Sequence, residues 1–490
     1  MQRSSTVASR QKKMLILGCG GIAQCALPLM IDLIDIPASN ITIIDFVDQR
    51  ARVAQTLEQG VTYVQDRLNQ ENYHAILSRY LNAGDILVDL AWNIDTCTLL
   101  DWCYNHDVLF INTSVEQWEP YRNVEQKNPT ELTLYARQMA IRKLVATWNK
   151  KGATAMVDHG ANPGLVSHFT KQALIEIAQK ILFQKPTDQR RKALEQALQN
   201  KNFAMLAQLV GVKTIHISER DTQITSQPKR VNEFVNTWSV EGLIEEGMAP
   251  SELGWGTHEK TIPHGSRLHE NGPKNQICLA SMGINTLVRS WVPSGPIIGM
   301  AIRHGEAFSI SDYLTVWEHK KVVYRPTVHY AYCPSDATIA SLLELRMRNF
   351  VAQPKQRIMN DDIIDGVDEL GCLLMGHDFG AWWIGSILDI AQARKLVPGQ
   401  NSTSVQVAIS AVAAIKYMLD NPNLGFCLPD DFDHETILAI AKPYLGKFIS
   451  QQSNWTPLSS ENQFFTFGKS APSPKDMWQF STFLVQSNIY

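Results

Sequence analysis

Residues 14–45 read MLILGCGGIAQCALPLMIDLIDIPASNITIID, and the order of residue types in this stretch decides the fold. Met14 to Leu17 is a short apolar run with the length and flanks of a buried parallel strand. Gly18, Gly20 and Gly21 follow at once, and Ile22 to Ile34 carries apolar residues at helical spacing. A second apolar run, Ile41 to Ile44, ends on Asp45. Strand, glycine turn, helix, strand and acid in that order are the dinucleotide-binding βαβ unit, here with Gly18-x-Gly20-x-x-Ala23 as its turn. Gly18 permits the tight turn, Gly20 removes a side chain that would block a pyrophosphate, and Ala23 lets helix and strand pack closely. The free N–H groups around Gly21 and Ile22, at the positive end of the helix dipole, are expected to face the phosphates. Asp45 is placed to accept hydrogen bonds from the adenosine ribose and to repel a 2′-phosphate, which favours NAD over NADP. Arg50 lies close enough to argue the other way.

Working outward, 490 residues are too many for one ordinary core, so two or three domains are expected. With 44% hydrophobic and 19% charged residues, the chain is globular rather than disordered. A net charge of −3 and the lack of a basic-aromatic stripe argue against nucleic acid or an anionic membrane surface as partner. The eight cysteines form no CxxC pair and read as reduced thiols of a cytoplasmic protein. The histidines show no HExxH or other zinc spacing, so no metal is expected. There is no GxSxG elbow and no run of about 20 apolar residues for a membrane span. Residues 1–12, basic and serine-rich, read as a disordered arm.

After Asp45 strand and helix signals alternate. Val61 to Val64, Ile86 to Leu90, Val108 to Ile111 and Ala155 to Asp158 are strand candidates, and Glu131 to Asn149 reads as one long helix. Six strands with intervening helices predict an α/β, doubly wound parallel sheet over 13–160, a Rossmann domain. Ligands bind beyond the carboxyl ends of such strands. Those ends carry Leu90 to Asp95 (with Trp92, Asn93 and Asp95), Asn112 to Glu116 (with Thr113), and Asp158 to Gly164 (with Asn162 and Pro163). Asp95 also suits a helix N-cap. From Gly211 the texture changes to alternating strands at Lys213–Ser218, Val231–Val240, Gln276–Ala280, Gly299–Ile302 and Lys321–Tyr332, with a long polar loop over 247–274. Residues 161–380 thus read as a second, α+β domain for substrate and dimerisation. Residues 381–490, led by the Ala- and Val-rich Ser404 to Leu419, read as a helical segment returning to the first domain.

The candidate chemistry of the second domain is acidic and aromatic: Glu219 and Asp221 after the KTIHIS strand, Trp238 in NTWSVEG, then Glu241, Glu245 and Glu246, and Asp365, Asp368 and Glu369 in DGVDELG. The first domain adds Trp92, Asp95, Glu116 and Trp118. Carboxylates pair with ammonium groups, and an indole face attracts a desolvated cation by about 0.5–2 kcal/mol. A diamine, with two ammonium ends and an alkyl stem, uses both contacts. His304, just after a strand, suits a proton shuttle. The plainer alternatives are a solvated helix face for Glu245 and Glu246, a core position on a strand for Trp238, and a satisfied loop position for His304.

Taken together, GCGGIAQ (18–24), VDLAWNID (88–95), INTSVE (111–116), HGANPG (159–164), ISERDTQ (217–223), NTWSVEG (236–242) and LLMGH (373–377) resemble the bacterial homospermidine synthases, relatives of the saccharopine and carboxynorspermidine dehydrogenases. The likeness runs from about residue 13 into the last hundred residues. It implies a cytoplasmic homodimer that keeps NAD as a bound prosthetic group and joins two putrescine molecules into homospermidine with release of ammonia. Spermidine can replace one putrescine, with loss of diaminopropane. On that resemblance a primary amine is oxidised to an imine, ammonia is exchanged for the second amine, and the new imine is reduced with no net redox change. It further implies that Glu219 and Asp221 anchor an ammonium group and that the Trp238 face stabilises the iminium cation. Glu116 and Glu246 would hold the outer amine, and Asn162 the reacting nitrogen or the nicotinamide amide. His304 and Asp368 would serve proton traffic. Two other readings stay open. A net dehydrogenase of the saccharopine or carboxynorspermidine type would draw on Arg122, Arg220, Arg289, Arg303 or Arg325 for a substrate carboxylate. A non-enzymatic NAD-sensing protein would need no second-domain chemistry.

Overall fold

The computed structural model describes residues 12–120, 127–458 and 474–485. The N-terminal arm, apart from Lys12, and Arg122 lie outside the described residues. The chain divides into two compact units, residues 1–165 with 391–445, and residues 166–390 with 446–490.

The first unit is built on a seven-stranded parallel sheet in the order 426–427, 155–156, 109–112, 86–89, 14–17, 41–45, 62–65. Its centre, Met14–Leu17, is buried at every position and paired on both sides, Met14 with Ile41 and with Ile86. A strand flanked by two others and covered on both faces has no polar side, which is why its sequence is a continuous apolar run. The seventh strand, Phe426–Cys427, adds to the six read from sequence and comes from the returning C-terminal segment. The same segment supplies Ser402–Asp420, which packs on Gly21–Leu33. Ser402–Asp420 is long and apolar enough to cross a membrane, yet 78% of its most apolar window is buried inside the fold. The long helix expected over 131–149 is instead a 3-10 turn, Pro129–Leu132, followed by Leu134–Val145. Thr133 divides them, its hydroxyl accepting from Ala136 N at 3.1 Å as a helix cap.

The second unit holds a ten-stranded sheet whose main path runs 267–268, 276–282, 250–254, 327–333, 214–221, 367–377, 380–389, 447–453. Only the pair Thr327–Cys333 and Thr214–Asp221 is parallel; the hairpin 287–292/295–300 joins through Met300 opposite Tyr332. The segment 381–490 is therefore not one helical return. Gly380–Asp389 and Lys447–Ser453 are strands of the second unit, and only 391–445 belongs to the first. Val231–Val240 also departs from expectation, because the strand is confined to Glu233–Asn236 and Val240 begins the helix Val240–Met248. Within 247–274, Pro250–Gly254 is an interior strand of the sheet rather than loop.

The two faces of this sheet differ in chemistry. Period-two alternation sends His216, Ser218 and Arg220 one way and Ile217, Glu219 and Asp221 the other. On the first face Trp478, Phe480 and Phe483 join Trp455, Trp383 and Leu253 in a hydrophobic cluster. The second face carries Glu219, Asp221 and Asp368.

Candidate active site

The glycine turn has the geometry a dinucleotide needs. Gly18 has φ +87°, and a Cβ there would lie 2.8 Å from Leu90 O, so no other residue fits. A Cβ on Gly20 or Gly21 would meet nothing within 4 Å, so both glycines border open space at the helix start. No side chain caps that helix. Its first N–H groups are therefore available to an anion, as a pyrophosphate requires. Ala23 is fully buried against the strand. The Asp45 carboxylate accepts from Cys19 N at 2.5 Å and from Val47 N at 2.8 Å. The acid expected to meet a ribose thus also ties the glycine turn to the end of the second strand.

The loops at the strand ends are tightly knit. Thr96 Oγ1 accepts from Glu116 N at 2.9 Å and from Asn112 Nδ2 at 3.2 Å, while Asn112 Oδ1 accepts from Asp158 N at 2.9 Å. Glu116 is buried and accepts from Ser114 Oγ at 3.1 Å. Asp95 is the cap of Thr96–Asn105, accepting from Thr98 N and Oγ1 at 2.7 Å each. Both bonds fall on Oδ1, so one oxygen of this candidate substrate ligand serves the helix start. Trp92 is half exposed, and Asn93, at φ +59°, has a buried Oδ1 without a hydrogen-bond partner among the described residues. Asn162 and Pro163 form a cis-linked pair inside a loop closed by Gly160 N donating to Pro163 O at 2.7 Å. Thr113 lies beside that loop, its Cβ 3.6 Å from where a Gly160 Cβ would stand. Asp89, which sequence reasoning passed over, is buried at the end of its strand. Burial raises its pKa to about 8, against the opposing hydrogen bond from Ala91 N.

In the second unit, the candidates converge on one connected cluster. Glu219 is buried and accepts a hydrogen bond from the Tyr330 hydroxyl. Tyr330 stacks on Tyr332 with ring centroids 5.3 Å apart, and His304 packs on Tyr330 at 4.5 Å. The Tyr332 hydroxyl accepts from Trp238 Nε1 at 3.1 Å. His304 is bracketed by carboxylates, with Nε2 3.0 Å from Glu246 and Nδ1 3.4 Å from Glu306. Asp368, fully buried, pairs in register with Asp221 on the neighbouring strand.

Electrostatics follow from this burial. Desolvation pushes Glu219 up to about 8, with the Tyr330 hydroxyl opposing it. Asp221 is raised to about 6 by the same cause, restrained by hydrogen bonds from Gln223 and Thr237. Burial disfavours a charged His304, but Glu246 and Glu306 outweigh it and hold its pKa well above the usual value. The cluster thus pairs a carboxyl that titrates near pH 8 with a histidine that stays protonated, beside an aromatic face.

Other candidates fall elsewhere. Glu245 pairs with the buried Arg303 at 2.8 Å, and Glu369 accepts from Ser294 N at 3.0 Å beside Arg220, on the opposite face. Asp365 and Glu241 are exposed. Trp238 stands on a bend before a helix rather than on a strand. Tyr330, Tyr332, Thr237 and Glu306 were missed. The run TVHYAY over 327–332 reads as an ordinary half-buried strand, and only spatial pairing reveals the hydroxyls. Among the described residues no group of three or more His, Cys, Asp or Glu is placed to hold a metal ion.

Residues 14–156 match the saccharopine dehydrogenase NADP binding domain, and residues 160–453 match the saccharopine dehydrogenase C-terminal domain. Fold and cluster together therefore define a saccharopine dehydrogenase-like protein. Within that class the chain belongs to the homospermidine synthase family. It is 38% identical over 480 residues to the homospermidine synthase of Mesorhizobium japonicum, covering 96% of both chains. It is 37% identical over 481 residues to that of Blastochloris viridis, covering 96% of this chain and 97% of the relative. The solved homospermidine synthase of Legionella pneumophila, in complex with NAD, is 36% identical with a TM-score of 0.85, over 97% of this chain and 98% of that one. Saccharopine dehydrogenase (L-Glu forming) from Saccharomyces cerevisiae, at 11% identity and a TM-score of 0.52, shares the fold.

Proposed function

We propose that this chain is a homospermidine synthase that joins two putrescine molecules, or putrescine and spermidine, with release of ammonia or diaminopropane. Its full-length likeness to the named synthases carries this reading, and the acidic, tyrosine- and tryptophan-lined cluster fits a diamine. The cofactor proposed is NAD, which the Legionella relative binds. The residues assigned to it are Gly18, Gly20, Gly21, Ile22, Ala23, Asp45, Trp92, Asn93, Thr113, Asn162 and Pro163. When bound, NAD supplies a reversible hydride acceptor, so oxidation of the first amine and reduction of the final imine cancel.

The chain's own groups do the rest. An amine gives up hydride only after losing a proton, and Glu219, titrating near 8, is matched to taking it. The Tyr330 hydroxyl holds that carboxyl in place. The Trp238 face stabilises the cationic iminium. His304, kept protonated between Glu246 and Glu306, is suited to return a proton to the leaving or newly formed amine. Glu246 and Asp368 add negative charge for the ammonium ends. All eight cysteines are free thiols, which fits a reducing, cytoplasmic setting, and a homodimer is the assembly we infer.

The test is mass spectrometry of products from purified protein with putrescine and NAD. Homospermidine and ammonia without accumulating NADH are expected. Steady NADH accumulation would favour a net dehydrogenase, and NAD binding without conversion of any amine a sensing module.

A further inference from the structure

Trp238 stands on the bend 237–238, which with the cap Ser239 joins the strand Glu233–Asn236 to the helix Val240–Met248. A bend has no ladder of its own, so its indole is fixed from outside. Asp221 provides the first hold. Its Oδ2 accepts from Thr237 Oγ1 at 2.7 Å, and its Oδ1 accepts from Gln223 N at 2.8 Å and Gln223 Nε2 at 3.1 Å. Asn236 Nδ2 donates to Trp238 O at 3.2 Å. At the ring itself, Nε1 donates to the Tyr332 hydroxyl at 3.1 Å, and a Cβ on Gly242 would lie 3.0 Å from Trp238 Cζ3, so Gly242 seats the indole edge.

We propose that Asp221 is the positioning residue for the Trp238 ring, acting through Thr237, and does not itself bind an amine. Both Asp221 oxygens are occupied by protein donors and the side chain is 3% exposed, which leaves no face for an ammonium group. The ring, by contrast, is only half-buried. Cation–π attraction depends on the cation lying over the ring face, so a tilted indole loses it. This rests on the synthase reading above.

The test uses full-length protein with bound NAD. Thr237→Val keeps the side-chain shape and removes the donor; Thr237→Ser restores it. Thr237→Val is expected to lower kcat/KM for putrescine about 10-fold or more, with Thr237→Ser recovering most of the loss. In a Trp238→Ala background Thr237→Val should change kcat/KM less than about twofold, because the two act as one unit. Protein labelled with 5-fluorotryptophan gives a readout independent of turnover. The Trp238 fluorine resonance, assigned by its loss in Trp238→Phe, should shift or broaden in Thr237→Val and return in Thr237→Ser. An unmoved resonance, or losses that multiply between Thr237→Val and Trp238→Ala, overturns the proposal. If the wild-type protein converts no putrescine, the synthase reading fails while the fluorine experiment still decides the positioning claim.

Discussion

Burial raises Glu219 to about 8 while the Tyr330 hydroxyl, donating to it, pulls the other way. A donor to a carboxylate favours the charged form, so its loss raises the pKa further. The acid limb of kcat/KM is therefore expected near pH 8, and Tyr330→Phe should move it to higher pH; a pH–rate profile in which the limb falls or stays put refutes the assignment. The glycine turn offers a second contrast. Gly18→Ala forces a Cβ to within 2.8 Å of Leu90 O at φ +87° and should destabilise the protein by about 1–3 kcal/mol. Gly20→Ala, with its Cβ in open space, should leave the melting temperature nearly unchanged yet weaken NAD retention. Calorimetry beside the NAD content of the purified variants separates the two effects. These glycines were readable from sequence because backbone freedom is a property of the residue itself. The bracketing of His304 by Glu246 and Glu306 was not, since Glu246 comes from a helix 58 residues away.

At the level of elements, legibility tracked local signals. Apolar runs without a polar face marked the parallel strands of the first unit, and Asp95 declared itself as a cap because Thr98 follows at the right distance. The second unit was harder. The expected strand ran over Val231–Val240, past Glu233–Asn236 to the first residue of the helix Val240–Met248, because Phe234, Val235 and Val240 are β-branched or aromatic. The division is made by Ser239, whose hydroxyl accepts from Gly242 N at 3.0 Å and starts the helix. Ser239→Ala should cost about 0.5–2 kcal/mol in chemical denaturation. Because Glu246 stands on that helix, the same change should loosen the Glu246–His304 pair. An unchanged midpoint would show that the helix is held by packing alone. That Glu219 and Asp221 point away from Arg220 follows from the period of two, but placing Asp368 beside Asp221 and Tyr332 beside Glu219 needed the register, which no local pattern supplies.

For the whole molecule, buried titrating groups set opposing pH slopes. Glu219 and Asp89 at about 8 and Glu259 at about 7 keep their protons in the folded state long after the unfolded chain has lost them, near 3.8 for the aspartate and 4.5 for the glutamates. Unfolding then releases protons, so stability falls as pH rises through this window. His304 adds to the fall, since its ion pairs hold a proton that the unfolded chain loses near 6.5. On the acid side His258, His329 and His377 are driven by burial to about 4, so their contribution is lost as pH drops from about 6.5 to 4. The melting temperature should therefore decline from pH 6.5 to 8, the range over which activity rises. Scanning calorimetry showing a climb over that range would refute these assignments.

The first unit closes only when Ser402–Asp420 and Phe426–Cys427 return to it. A ribosome adding about 5–20 residues per second takes on the order of tens of seconds to travel from Leu165 to Cys427. Throughout that interval the nascent chain displays the apolar side of Gly21–Leu33 and an unpaired edge at Ala155–Met156. Chaperone capture during synthesis should therefore target the N-terminal third of this protein, and release should follow emergence of residues 402–427.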